Sequence, residues 1–271
     1  MKLYHGTTER VARLALIEGL RPREETGSAG NWEHSIDSAP DRVYLSVAYA
    51  GYFAYCATDD KESWGLVEVD TDLLDSTRLY PDEDFMEQAS RGQEVPEWVE
   101  EDPDDPVGDP YEELRAANEL PDEDRMKART EYFRNNIWFY AHLWRGSVEH
   151  LGNCCYLGEI PPEAITRVSV FDPTSNTDIW ISVDPSITLM NYRVCQNKYK
   201  AITRWLAGYE DVTVDDITML FAGEDERVEE AREYWRTDVI PNRSGLEVIR
   251  GPGCNHLEPS EVSLLQGGRE E

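Results

Sequence analysis

Positive charge is what this sequence has least of: 26 Lys and Arg stand against 55 Asp and Glu in 271 residues, a formal charge of −29. A surface that negative repels a phosphate backbone, so nucleic acid is not expected as a partner. The same acidity suits a soluble protein or one that captures a basic protein partner, and composition does not separate the two. Cysteines are few, odd in number and without a repeated C-x-x-C: Cys56, Cys154, Cys155, Cys195 and Cys254. Neither a disulfide framework nor a zinc knuckle follows, and a reducing compartment fits best. Also missing is any apolar run near the ~20 residues a membrane helix needs, and the chain opens on a strand-like segment instead of a signal sequence. No membrane association and a cytoplasmic location are expected, and no internal repeat is evident.

What is present supports a sizeable core, with 40% apolar residues. "KLYHGTT" reads as a strand, and "ERVARLALIEGLRP" as a helix capped by Thr7 or Thr8, stopped by Gly19 and Pro22, with Ala12, Ala15, Leu16 and Leu20 as its buried stripe. Residues 23–41 read as a long loop. "RVYLSV" alternates Val43, Leu45 and Val47 with Tyr44 and Ser46, predicting a strand with one apolar and one polar face. "AYAGYFAYCA" then reads as a helix and "GLVEVDTDLL" as a strand. From about 86 to 125 the chain is acidic and carries Pro96, Pro103, Pro106 and Pro110, which exclude continuous helix or sheet; this is an insertion or flap. A helix around "ARTEYFRNNIWFYAHLW", a strand at "NCCYLGEI" and the segment "PPEAITRVSVF" follow. Beyond Asp172, helices around "NKYKAITRWLAG" and "EDERVEEAREYWR" predict an appended, mostly helical subdomain over 172–271, after a first domain over 1–171.

The ordered blocks "LYHGT", "EGLRP", "VYLS" and "IPPEAI", with Tyr44 and Tyr55-Cys56 eleven positions apart, resemble the diphtheria-toxin-like ADP-ribosyltransferase superfamily, the His–Tyr–Glu group that includes poly-ADP-ribose polymerases and RNA 2′-phosphotransferases. The resemblance covers about residues 2–80 and 137–170. It implies an α+β fold with a split central sheet and flanking helices, and NAD⁺ as substrate. Where the phosphotransferases carry a His ahead of Leu-Ser, this chain has Tyr44. Mono-ADP-ribosyl transfer to a protein or small-molecule acceptor is therefore the expected activity. Phosphotransfer, and an inactive NAD-fold interaction module with an acidic surface, stay open as alternatives.

The residue types suit that chemistry. A Gly beside His5 lets a flat carboxamide approach the backbone N–H and C=O of Gly6, while Thr7 completes the block. His5 can hold a ribose hydroxyl, Tyr44, Tyr52 or Tyr55 can stack on nicotinamide, and Ser46 can offer a hydroxyl to the carboxamide. Cleaving the ribose–nicotinamide bond passes through an oxocarbenium-like state, so the protein must fix the ribose and stabilise positive charge; positioning alone can supply roughly 7–11 kcal/mol. The resemblance places a carboxylate at the start of the strand before "IPPEAI", where this chain has Asn153. Glu149 and Glu159 flank that strand as substitutes, and strand alternation favours Glu149, which would share a face with Asn153 unless the preceding helix runs through it.

Each candidate has a plainer reading. A strand His is commonly structural, and Tyr52 and Tyr55 at helical spacing are commonly core. Asp82-Glu83-Asp84 reads as a charged turn instead of a cation site, Cys154 and Cys155 as core, and Cys254 with His256 supplies too few ligands for a metal. No metal is expected.

Overall fold

The protein is described here by a computed structural model covering residues 1–27, 38–58, 62–85, 116–117, 119–183, 192–221 and 226–256. Most of the acidic insertion and the expected frayed tail lie outside the described residues. In chain order the elements are β1 (Lys2–Thr8), α1 (Glu9–Glu18), α2 (Arg23–Thr26), β2 (Arg42–Ser46), α3 (Ala50–Cys56), β3 (Trp64–Asp70), β4 (Leu79–Pro81), α4 (Asp122–Asn136), α5 (Trp144–Leu151), β5 (Asn153–Leu157), β6 (Ile165–Phe171), α6 (Thr177–Val183), α7 (Tyr192–Leu206), α8 (Glu226–Tyr234) and β7 (Leu246–Arg250). The strand order is β4-β5-β2-β1-β3-β6-β7, antiparallel wherever a register is defined, so the fold is α+β. The chain divides into two compact units, Met1–Leu20 with Leu45–Ser76 and Glu159–Glu271, and Arg21–Tyr44 with Thr77–Gly158. The expected boundary at 171/172 falls inside the first unit.

In the first unit β1 pairs with β3 along its whole length, from Lys2↔Asp70 to Thr8↔Trp64, but with β2 only at Tyr4↔Ser46. Helices cover both faces of these strands. Ala50 O and Ala54 N of α3 fill the space beside Gly6, and Ala12 of α1 lies against Gly65. Double cover explains why β3 is buried at nearly every position instead of alternating. The N-cap of α1 is Thr8, whose Oγ accepts the Val11 N–H at 3.4 Å, and Gly19 ends the helix at φ 78°. Ala12, Ala15 and Leu20 are buried as expected, while Leu16 is only half-buried.

The segment beyond Asp172 packs on β1, β3 and β6 instead of forming a core of its own. Trp205 of α7 meets Phe171 at a ring separation of 5.7 Å, within a cluster that includes Tyr4, Trp64, Ile179 and Ile202. Its end is held by cations: Arg243 donates to the carbonyls of Trp205 (3.1 Å) and Tyr209 (2.7 Å), and Arg167 to that of Ala207 (3.0 Å). β7 extends the sheet beside β6.

In the second unit β4 pairs with β5, Leu79↔Tyr156 through Pro81↔Cys154. Ser147 of α5 donates to the Asn153 carbonyl at 2.8 Å and accepts the Asp82 N–H at 3.0 Å, which ties the helix to both strands. The helix expected around 128–144 is longer and broken. It starts at Asp122, passes through a 3₁₀ stretch at Ile137–Leu143, and resumes as α5 until Gly152 at φ 80°. No helix among the described residues is long and apolar enough to cross a membrane.

Candidate functional site

In the first unit, His5 sits half-buried on β1 opposite Val67. Strand alternation puts it with Leu3 and the buried Thr7 on one face, and Tyr4 with Gly6 on the other. The side-chain space of Gly6 is taken by α3, so a packing constraint accounts for this glycine. Ser46 is directly opposite Tyr4 and shares its face, not that of His5. Its hydroxyl is fully buried and accepts the N–H groups of Ala48 (3.1 Å) and Tyr49 (2.7 Å). The polar face expected on "RVYLSV" is thus corrected at Ser46: its side chain organises the turn into α3, because backbone donors entering a helix need an acceptor.

Tyr52 and Tyr55 are half-buried on α3 and pack on the core cluster. Tyr55 makes edge-to-face contacts with Trp64 at 5.9 Å and Trp180 at 6.2 Å. Both rings take part in packing of the core. Glu159 is exposed, just past Gly158 at φ 75°.

In the second unit the sequence reading missed the central charge. Glu83, treated as part of a charged turn, is buried, and its Oε1 accepts from Arg42 Nη1 and from the Tyr44 hydroxyl, each at 2.7 Å. The Tyr44 oxygen also accepts the Ala39 N–H at 2.6 Å. Burial first, and the Glu83 carboxylate second, push the Tyr44 phenol well above its ordinary range, so it stays neutral. Arg42 Nε lies 3.2 Å from Asp41 Oδ1, an ion pair without hydrogen-bond alignment. A signal was available: an arginine two positions before Tyr44, inside a strand, requires an acidic partner if the strand is buried.

Asp82 Oδ1 accepts the Asp84 N–H at 2.9 Å, so this part of the acidic run closes a turn, as expected. Burial and the neighbouring carboxylates raise the Asp82 pKa well above the usual carboxylate range. Cys154 and Cys155 are buried, as expected, and burial pushes both thiols up. The Cys254 thiol donates to the Thr166 carbonyl at 2.6 Å, while the His256 side chain lies outside the described residues.

Asn153 is the first residue of β5, half-buried, with its Oδ1 shielded from solvent and without a hydrogen-bond partner among the described residues. Glu149 lies exposed on α5, not on a strand. The alternation that would favour it over Glu159 is corrected, because the helix runs through Leu151. Neither glutamate belongs to β5. No family model, curated protein or solved structure matches this chain.

Proposed function

We propose that this chain binds NAD⁺ and transfers its ADP-ribosyl group to a protein or small-molecule acceptor, on a split-sheet fold of the ADP-ribosyltransferase type. The observation that carries the reading is the divergence at the central strand. β1 and β2 share the single pair Tyr4↔Ser46, and His5-Gly6 follows at once on β1, while pairing with β3 continues to Thr8. A strand edge released from its ladder offers backbone donors and acceptors to a carboxamide, and this supports Gly6 as the nicotinamide anchor and His5 as the ribose ligand.

The second reading, an NAD⁺-binding module without turnover, draws support from Asn153, a neutral amide where the resemblance asks for a carboxylate. Incubating the full chain with NAD⁺ labelled in the nicotinamide ring separates them. Released nicotinamide supports the transferase; binding without release supports the module; absence of binding overturns both.

A further inference from the structure

We propose that the outer face of α1 is an interface between two copies of this chain, joined antiparallel about a two-fold axis beside Leu14. The helix lies wholly in the first unit, and its inner face is built from small residues. Ala12 and Ala15 are buried there, and Ala12 takes the space beside Gly65 of β3. Close approach through alanines holds α1 to the sheet, so Val11, Leu14 and Ile17 are not what fastens it. They stand outside, 41%, 43% and 77% exposed, and Ile17 is the most exposed large apolar side chain among the described residues. Single exposed apolar residues are ordinary, but three at i, i+3 and i+6 share one helix face and form a stripe.

The sequence of that face is self-complementary. Two rows of side chains cross at Leu14: Val11, Leu14 and Ile17 at spacing i, i+3, and Arg10, Leu14 and Glu18 at spacing i, i+4. A two-fold axis at Leu14 turns each row end for end, so Val11 meets the partner's Ile17, Leu14 meets the partner's Leu14, and Arg10 meets the partner's Glu18, twice over. Charge selects the same occupant. α1 carries two acids, Glu9 and Glu18, and two bases, Arg10 and Arg13, and is therefore neutral in a chain of −29. A basic partner is attracted to the rest of that surface more than to this helix, whereas a second copy needs a patch without net charge. Arg13 is engaged within the fold, donating to Glu9 at 2.8 Å and pairing with Glu247 of β7, and this leaves Arg10 and Glu18 at the two ends of the stripe. A helix of this length spans about 15 Å, so the contact is smaller than the roughly 800 Å² per partner of a stable complex, and the dimer is weak.

The test is sedimentation equilibrium of the full chain from about 1 µM to on the order of 500 µM, the range of a weak interface. Salt at about 0.15 M shortens the Debye length to about 8 Å and screens the repulsion between the two net charges. The proteins are wild type, Leu14→Asp, Arg10→Glu, Glu18→Arg and the double variant Arg10→Glu/Glu18→Arg, each with a melting curve. Wild type is expected to show a monomer–dimer equilibrium. Leu14→Asp brings two carboxylates together at the axis and should raise the dissociation constant about tenfold or more. Either single reversal sets like charges against each other and should raise it about fivefold or more, while the double variant restores opposite signs and should return to within about twofold of wild type. Arg10 and Leu14 are exposed, so their variants carry the test even if Glu18→Arg lowers the melting temperature. A wild type that stays monomeric overturns the proposal, whatever else covers the stripe. A dimer indifferent to Leu14→Asp places the interface elsewhere and overturns it too, as does a double variant no tighter than Arg10→Glu alone.

Discussion

The carbonyl oxygen of Ala50 stands 1.8 Å from where a Cβ on Gly6 would lie, and the amide nitrogen of Ala54 2.7 Å from it. Both neighbours are backbone atoms of α3, which cannot swing aside as a side chain would. Gly6→Ala should therefore push α3 off β1 and destabilise the protein by about 3 kcal/mol. Urea unfolding reads this directly. A variant as stable as wild type would show that the helix sits further from the strand than described, and would return Gly6 to a purely ligand-binding role.

A second expectation concerns the buried carboxylate of the first unit. Glu68 accepts from Thr166 at 2.7 Å and from the Tyr209 hydroxyl at 2.9 Å. The register shift between Glu68 and Val69 accompanies this meeting of Thr166 with Glu68. Glu68→Ala leaves two hydroxyls without their acceptor, and should cost about 3 kcal/mol. Thr166→Val, which removes one donor and keeps the volume, should cost about 1 kcal/mol. If the two variants lose equally in urea melts, the Tyr209 bond contributes nothing.

Acid sensitivity should be traceable to Asp70. Burial pushes its carboxyl up, but the Lys2 ammonium at 2.8 Å and the Asp72 N–H at 3.1 Å outweigh that, and the net shift is downward. A carboxyl whose folded pKa lies below its unfolded value, about 3.9, stabilises the fold above that pH and ceases to do so as pH falls through the folded value. The gap in urea midpoint between wild type and Asp70→Asn should thus be present at neutral pH and close below about pH 4. A gap that stays constant down to pH 2 would mean that Asp70 acts through packing and not through charge.

Local signals in the sequence were readable because local chemistry makes them. Thr8 and Gly19 bracket α1 by satisfying its terminal groups, and His5-Gly6 falls on a strand. What neighbouring residues do not encode is what later covers a face. Ser46 looked solvent-facing by alternation, but β1 and α3 bury it. Glu149 looked strand-like only because the end of the helix at Gly152 depends on tertiary contacts such as that of Ser147 with Asn153. Glu83 lay in a run of three acids that reads as solvated, and its partner Arg42 is 41 residues away. The same holds for Trp205, whose ring meets Phe171 of β6, for Arg243, which donates to the Trp205 carbonyl, and for β7, which pairs with β6: each contact joins residues far apart in sequence.

The last expectation addresses the acid missing from β5. Asn153 opens the strand with an amide oxygen shielded from water and without a hydrogen-bond partner among the described residues, so a side chain of that reach already sits in a confined place. If that place addresses the nicotinamide ribose, Asn153→Glu adds the negative charge that favours an oxocarbenium-like state, and cleavage of saturating NAD⁺ should rise by about tenfold or more, equivalent to about 1.4 kcal/mol of barrier. The charge enters a half-buried position, so the melting temperature should fall at the same time. Glu149→Gln and Glu159→Gln, both exposed and both outside β5, should leave cleavage unchanged. A loss in either would mean that an exposed glutamate reaches the ribose after all. Intact NAD⁺ binding with no cleavage in wild type or Asn153→Glu would identify the chain as a binding module, because restoring the one charge that the transferase chemistry lacks would then have restored nothing.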